Sequence, residues 1–248
     1  MPTRLPWLGA TPRATCTGMA SDSAVSVKPS VLPSNVVVFD FDGTLVNRDS
    51  FLDFAFGYCA RRPGRLLVVF ALLPLALPLA LRSWQRAAAL LLWGITFGTS
   101  TRSFARALRR YATNTLPGYA NDAIFIELAA QIQAGNRVVI ATGSMPLLVR
   151  GLLRARKVAP ISIVGSRLRR RWGGLVTDTH CIGRTKVREL QLRLGISEWS
   201  TVYTDSFADR SLLRSARNIT LVAPSGRTLR RTQRLIDEAT ALRVLRRQ

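Results

Sequence analysis

Two carboxylates follow an apolar run early in the chain. Val36 to Phe39 is predicted to be a buried strand, and Asp40 and Asp42 come at its end, just before the turn-forming Gly43. The carboxyl ends of strands in an α/β sheet are where ligands bind. Two acids this close repel each other unless a cation lies between them, and magnesium, which takes carboxylate and carbonyl oxygens, is the simplest candidate. From this stretch alone, the two aspartates could equally be turn formers.

Later segments place more polar residues at the ends of predicted strands or the starts of predicted helices. An apolar run over 137–142 ends in a small polar turn, which offers a hydroxyl and backbone N–H groups to an anion. A further strand beginning near Thr201 ends in two carboxylates. The residues in these positions are Thr142, Gly143, Lys186, Asp205 and Asp209. Strands that alternate with helices in this way predict an α/β fold with a doubly wound, mostly parallel sheet.

Each of these residues also has a purely structural interpretation. Lys186 could be one of many solvated basic residues, and Asp209 could be an acid near a helix N-terminus. Ser144 could contact an anion, but capping of the following helix is the favoured interpretation. His180 and Cys181 have no partner in the sequence, so we expect them to be structural.

The composition is both basic and apolar. The 248 residues include 36 Lys and Arg against 14 Asp and Glu, a net charge of +22, yet 48% of them are hydrophobic. From Arg150 to the end there are 22 basic and 7 acidic residues, a net charge of +15. This combination favours an anionic membrane surface, where each basic side chain contributes roughly 1 kcal/mol. No nucleic-acid recognition motif is present, so a nucleic-acid partner is not expected, and no protein partner can be inferred.

A strongly apolar segment follows the first acidic turn. Leu66 to Leu81 contains no charged side chain, and a second apolar stretch runs from Ala87 to Gly98. Pro74 and Pro78 predict a bend in the first stretch. Together the stretches predict a re-entrant hairpin or helices in the membrane interface, with Trp84 and Trp93 at headgroup depth. The alternative is a buried helical pair inside a soluble cap domain.

The chain is accordingly predicted to have four parts. They are a disordered leader over 1–34, a catalytic α/β core over 35–47 and 134–226, a helical apolar cap over 48–133, and a basic C-terminal helix over 227–248.

The ordered set of polar residues resembles the haloacid dehalogenase superfamily of phosphotransferases, over about residues 36–224. The resemblance implies a Rossmann-like core and a magnesium-dependent reaction. It implies that Asp40 is the nucleophile that forms an aspartyl-phosphate and that Asp42 is the general acid and base. Thr142 and Gly143 would bind phosphate, and Lys186 would neutralise charge on phosphate and on Asp40. Asp205 would bind magnesium together with Asp40 and the Asp42 backbone carbonyl, and Asp209 would support these residues.

Residues 40–49 resemble the phosphoserine phosphatase branch, subfamily IB. Two features depart from that branch. It favours glycines at the positions of Thr204 and Ser206, and its cap forms a polar amino-acid pocket, whereas the cap predicted here is apolar. The segments 90–98, 172–176, 181–186 and 203–213 are similar to bacterial phosphatidylglycerophosphate phosphatases of type C. That resemblance implies an anionic phospholipid substrate and a place on the cytoplasmic face of the bacterial inner membrane.

Two alternatives stay open at this point. The first is a soluble small-molecule phosphatase of the phosphoserine phosphatase type. The second concerns four arginines that lie between Thr142 and Lys186 in the sequence. They could dock on an anionic surface, steer a lipid headgroup, or form a solvated hairpin. These are Arg167, Arg169, Arg170 and Arg171.

Overall fold

A six-stranded parallel sheet forms the centre of the fold. The computed structural model describes residues 35–237 and 239–246. Its strands are β1 (Val36–Phe39), β2 (Arg137–Thr142), β3 (Ser162–Gly165), β4 (Arg167–Arg171), β5 (Gly174–Thr179), β6 (Trp199–Thr204), β7 (Ala216–Val222) and β8 (Ala241–Leu245). The order in the main sheet is β3-β2-β1-β6-β7-β8, and β4 and β5 form a separate antiparallel hairpin.

Helices flank and extend this sheet. They are α1 (Ser50–Ala60), α2 (Pro63–Arg82), α3 (Trp84–Thr96), α4 (Thr101–Asn114), α5 (Asp122–Gln133), α6 (Pro146–Ala155), α7 (Arg184–Leu194), α8 (Arg210–Leu213) and α9 (Gly226–Gln233). The central strands are Val- and Ile-rich because both of their faces are covered. This is the predicted doubly wound α/β fold, confirmed in its parallel sheet and in its helical insertion between β1 and β2.

The insertion between β1 and β2 is not uniform in its packing. Phe104 and Leu108 of α4 and Leu128 of α5 belong to the same buried cluster as Val37 and Phe39 of β1. The range predicted as cap, 48–133, therefore includes two helices that pack into the core. By contrast, α2 buries only Ala76.

The helix α2 is continuous over 20 residues, about 30 Å at roughly 1.5 Å per residue. It passes through Pro74 and Pro78 without a break, and the change of direction comes at Ser83. The predicted bend is therefore displaced to the turn after the helix. Both prolines are exposed and one turn apart, so the carbonyls that lose their intrahelical donors lie on one side. Within the described residues, α2 is the one helix long and apolar enough to cross a bilayer.

The predicted basic helix over 227–248 is wrong beyond its first turns. The helix α9 ends at Gln233, and β8 pairs in parallel with β7 from Asn218 to Val222. A helix here would leave the backbone groups at the outer edge of β7 without partners, whereas β8 satisfies them. The predicted leader over 1–34 lies outside the described residues.

The close contact between helices α4 and α6 gives a first test of the fold. A Cβ added at Gly151 in α6 would overlap Ala112 in α4. We expect Gly151→Val to reduce the free energy of unfolding by roughly 1–3 kcal/mol, the usual cost of overpacking. Gly57→Ala in α1 is the control, because a Cβ there meets no atom within 4 Å. It should be neutral or stabilising by up to about 1 kcal/mol. Urea unfolding of both variants measures the difference, and equal stability of the two would contradict the packing.

Candidate active site

Three adjacent strands of the sheet bring the predicted polar residues to one edge. β1 lies between β2 and β6, and Phe39 pairs in register with Ile140 on one side and Tyr203 on the other. Because the three strands are parallel, the residues after their carboxyl ends meet. Asp40, Gly143 and Asp205 all line the same cleft.

Lys186 is the charged centre of this edge. It lies in the first turn of α7 and is only 3% exposed. Its Nζ donates to Asp40 Oδ1 at 2.7 Å and to Asp209 Oδ2 at 2.8 Å, and Asp209 also accepts from the Thr204 hydroxyl at 3.0 Å. Asp209 makes no capping bond to the backbone of α8. The interpretation of Lys186 as a solvated base is therefore wrong. Asp209 does stand at the N-terminus of α8, as its structural interpretation has it, but its carboxylate bonds Lys186 and Thr204 and not the helix backbone.

The charges in this cluster shift one another's pKa values. Burial raises the pKa of Asp40 well above its ordinary value, although the Lys186 ammonium opposes the shift. Burial alone would lower the pKa of Lys186, but the two carboxylates beside it raise it instead. Lys186 is thus held as a cation, and the two acids compete for it.

Asp42 is fixed by the start of the helical insertion. Its Oδ1 accepts from the backbone N–H of Ser50 at 2.8 Å, in the first turn of α1. The hydroxyls of Ser50 and Ser144 lie 2.9 Å apart. Burial raises the pKa of Asp42, and these two hydroxyls oppose the shift. Ser144 is therefore not the cap of α6, which is Met145. The preference for the capping interpretation was wrong.

Asp205 follows β6 and lies directly against Gly43. A Cβ at Gly43 would overlap the Asp205 carboxylate, and Gly43 has a φ of +78°. Burial raises the pKa of Asp205 to about 6, and the negative charges of Asp209 and Asp42 add to the effect. The turn after β1 therefore needs glycine at position 43 for two reasons: the positive φ, and the absence of a Cβ that would overlap the Asp205 carboxylate.

The donor set fits a magnesium ion. Asp40, Asp42 and Asp205 are acids with raised pKa values that face one cleft, and a divalent cation would offset their repulsion. Over residues 35–237 and 239–246, no three acidic, His or Cys side chains enclose an ion by themselves. Magnesium suits such a site, because it is usually held by one or two carboxylates together with water and substrate phosphate.

The other predicted residues have less direct positions. Gly143 and Ser144 line the cleft, whereas Thr142 is fully buried and its Oγ1 accepts from the Ser144 backbone N–H at 2.9 Å. Cys181 is fully buried, as expected of a structural residue. His180 lines the cleft, and burial lowers its pKa.

The cleft has a volume of about 800 Å³ and extends from the acids to the apolar insertion. Its far walls come from three helices. They include Phe51, Leu52, Ala55 and Phe56 of α1, Leu66 and Val69 of α2, and Trp84, Ala88, Leu91, Leu92 and Ile95 of α3. No pattern in the sequence predicted these contacts or the hydrogen bond from Ser50 to Asp42. Asp49 caps α1 through the Leu52 N–H, and this places the N–H of the next residue, Ser50, against Asp42.

Gly43→Ala tests the contact with Asp205. We expect this variant to displace the carboxylate and to weaken activation by magnesium by roughly tenfold or more, as for other changes beside metal ligands. Gly195→Ala is the matched control: Gly195 also has a positive φ, +65°, but a Cβ there meets no atom within 4 Å. Both variants carry the backbone strain, roughly 1–2 kcal/mol. Magnesium titrations of phosphatase activity should separate them, and equal losses would show that strain alone acts.

The fold is similar to that of solved proteins at low sequence identity. A protein of unknown function from Bordetella pertussis Tohama I aligns with a TM-score of 0.64 and 18% identity, over 85% of this chain and 98% of its own. A phosphoserine phosphohydrolase-like protein from Francisella tularensis subsp. tularensis SCHU S4 gives 0.56 and 14%, over 85% and 94%. A phosphoserine phosphatase with a phospho-aspartyl intermediate analogue gives 0.52 and 12%, over 85% and 93%.

At these identities the likeness concerns the fold. A model of the haloacid dehalogenase-like hydrolase family matches residues 37–214, a range that contains Asp40, Asp42, Lys186, Asp205 and Asp209. The match confirms the predicted superfamily and the prediction of an enzyme, here a hydrolase. The chain belongs to the haloacid dehalogenase-like hydrolases.

Proposed function

We propose that this hydrolase is a magnesium-dependent phosphomonoesterase that removes the terminal phosphate of phosphatidylglycerophosphate and releases phosphatidylglycerol. One observation carries the proposal: a single cleft joins the buried Asp40 and Lys186 pair to apolar walls on α1, α2 and α3. The acidic end suits a phosphate monoester with a bound cation. The apolar end suits the hydrocarbon part of the same substrate.

The size and lining of the cleft favour a lipid over a free amino-acid phosphate. At about 800 Å³ the cleft is in the range that buries a ligand much larger than phosphoserine. Phosphoserine is charged along its whole length and needs polar partners throughout. Leu66, Val69 and Leu91 offer none, whereas they suit the glycerol backbone and the first methylenes of an acyl chain.

The chain's own residues can carry both halves of the reaction. In the first half, an Asp40 carboxylate oxygen attacks phosphorus, the bond from phosphorus to the substrate oxygen breaks, and Asp42 gives its proton to that leaving oxygen. In the second half, Asp42 takes a proton from water, whose oxygen attacks phosphorus and releases Asp40 and inorganic phosphate. Burial raises the pKa of Asp42, a shift in the direction that suits a group that must bind and release a proton during the reaction.

Charge compensation falls to Lys186 and to magnesium. Lys186 orients the Asp40 carboxylate at 2.7 Å and offsets charge on the phosphoryl oxygens. Asp40, Asp205 and the Asp42 backbone carbonyl would hold the ion, which supplies further compensation of phosphoryl charge. Gly143 offers a backbone N–H at the same edge, and Thr142, which is buried behind the cleft, supports that turn by accepting from the Ser144 N–H. Asp209 holds Lys186 from behind.

The second candidate is a soluble small-molecule phosphatase of the phosphoserine phosphatase type. The similarity in fold to phosphoserine phosphatases favours it. The two candidates differ in substrate and in membrane contact. In both, Asp40 is the nucleophile, Asp42 is the general acid and base, and Lys186 is the neutralising cation.

A phosphate-release assay with Asp40→Asn tests the chemistry and the substrate together. We expect the wild-type protein to hydrolyse phosphatidylglycerophosphate in detergent micelles far faster than phosphoserine or phosphatidic acid, and only with magnesium. Asp40→Asn lacks the nucleophilic oxygen and should lose this activity by several orders of magnitude, about 10⁴-fold or more.

A control on folding accompanies that assay, since loss of the buried charge changes the Lys186 pair. Asp40→Asn should keep the far-ultraviolet circular dichroism of the wild type. Turnover in that variant would remove Asp40 from its proposed role. Faster hydrolysis of phosphoserine than of the lipid would favour the second candidate.

Membrane association has its own test in the outer face of α2. Leu67 and Leu77 are 71% and 64% exposed. The double change of both to Ser should shift the protein from the membrane to the supernatant fraction in salt washes, because it removes apolar area from contact with lipid. The matched control is the double change of Ile126 in α5 and Leu192 in α7 to Ser, at 71% and 67% exposure, because neither residue belongs to α2 or α3. Equal fractionation of the two variants would contradict α2 as the membrane contact.

A further inference from the structure

The helices α2 and α3 form an antiparallel pair with two distinct ends. A Cβ at Gly94, late in α3, would overlap Leu72 of α2. Arg65, in the first turn of α2, donates to the backbone oxygens of Ile95 and Phe97 and to the Thr99 hydroxyl. The open end of the pair therefore lies at Arg65 and Thr99. The closed end is the turn at Ser83 between the two helices.

The β4–β5 hairpin, which comes from a different part of the chain, is bonded to the open end. The Trp93 indole N–H donates to Trp172 O at 3.0 Å, and the Gly98 N–H donates to Gly173 O at 3.0 Å. Two further bonds secure the sides of the hairpin. They are Arg170 Nη1 to Thr99 O at 2.8 Å and Leu175 N–H to Thr96 Oγ1 at 2.8 Å. The hairpin tip and the open end of the helical pair are thus one rigid surface.

The tip carries an aromatic side chain that the turn itself does not require. Trp172 has a φ of +47°, a conformation that favours Gly or Asn in a two-residue hairpin turn. It is nevertheless 73% exposed, and the Arg171 guanidinium lies 4.0 Å from its ring centre. Phe97 is 52% exposed beside it. An exposed Trp under an Arg is the side-chain pair expected at lipid headgroup depth.

The closed end carries a similar set. Trp84 is 65% exposed, Leu81 is 93% exposed, and Arg82 and Arg86 flank them. The net charge of the whole region is strongly positive. Residues 54–121 include nine arginines and no Asp or Glu, and residues 167–179 include four arginines and one Asp. A surface of this charge, with apolar side chains between the arginines, complements an anionic phospholipid headgroup layer.

The cleft fixes how the pair can lie relative to a membrane. Trp84, Ala88, Leu91 and Ile95, spread over the full length of α3, line the same cleft as the catalytic-edge acids. If α2 and α3 crossed a bilayer, this face of α3 would have to leave the α/β core, or the acids would enter the hydrocarbon region. With α2 in the membrane plane, α3 keeps its contacts and α2 presents its exposed face to lipid.

We propose that the protein docks on one leaflet of an anionic phospholipid membrane with α2 in the membrane plane. Two anchors hold it there: Trp84 with Arg82 and Arg86 at the closed end, and Trp172 with Arg171 at the open end. The proposal rests on the proposed function for the lipid as substrate. It adds that the cleft lies parallel to the leaflet between the anchors, so that a headgroup reaches the acids without the substrate leaving the membrane.

Spin labels at four positions test this orientation. Cys59 and Cys181 are buried, so single Cys variants of Trp84, Trp172, Leu77 and Ile126 can be labelled in a Cys16→Ser background. The full chain is bound to vesicles of phosphatidylcholine with phosphatidylglycerol, and collision with oxygen and with a water-soluble nickel complex gives the depth of each label. We expect 84 and 172 at equal, shallow depth on one side, 77 deeper in the same leaflet, and 126 in water.

Other results overturn the proposal. Labels 84 and 172 on opposite sides of the bilayer, or label 77 at its centre, would mean that α2 spans. Label 172 as exposed to nickel as label 126 would mean that the β4–β5 tip does not dock. If a Trp substitution unfolds the protein, labels at Leu81 and Arg171 replace those at 84 and 172, since both are exposed neighbours.

The outcome is separable from that of the proposed function. Hydrolysis of phosphatidylglycerophosphate in detergent micelles requires no bilayer, so it reports the substrate alone. Loss of that activity with the expected label depths would overturn the substrate and keep the orientation. We also expect Trp172→Ser with Arg171→Gln to weaken vesicle binding by roughly tenfold, about 1.4 kcal/mol, while micellar activity stays unchanged. The control pair, Ile126→Ser with Arg217→Gln, should bind as the wild type.

Discussion

The buried ion pair network around Lys186 is the constraint on which the rest of the structure depends. Lys186 lies between Asp40 and Asp209, and the three side chains are at most 10% exposed. Taking three charges out of water costs several kcal/mol each, and removing one partner of such a network leaves an uncompensated charge. The elements that hold these residues, the end of β1, the first turn of α7 and the loop after β6, must therefore keep their mutual positions to within a hydrogen bond length. A rigid parallel sheet with β1 at its middle provides that.

The same edge of the sheet explains why the helical insertion is coupled to the chemistry. Asp42 accepts a backbone hydrogen bond from Ser50, the first residue of α1, so the start of the insertion holds the proposed general acid. The insertion is in turn bonded to the β4–β5 hairpin through Trp93, Thr96 and Thr99. The helical insertion and the β4–β5 hairpin, which are remote in sequence, are thus bonded to each other above the cleft. A movement of the insertion would also displace the Ser50 N–H that bonds Asp42.

Much of the core was predictable because its signals are local. A run of apolar residues followed by Asp40-x-Asp42-Gly43 identifies a strand and its polar end without reference to any other part of the chain. The limits of local signals appear in two elements. A basic helix was predicted over 227–248, but pairing with the open edge of β7 made residues 241–245 a strand. Pro74 and Pro78 predicted a bend, but α2 continues through them.

The sequence by itself determined the strand ends, the order of the reacting residues and the apolar and basic character of the insertion, since each depends on residue type and spacing along the chain. Only the tertiary structure decided which of those residues meet. The contact of Lys186 with both Asp40 and Asp209 spans 146 and 23 residues, and the contact of Ser50 with Ser144 spans 94. Such contacts depend on the order of strands in the sheet and on the packing of the insertion, and neither leaves a periodic pattern in the sequence.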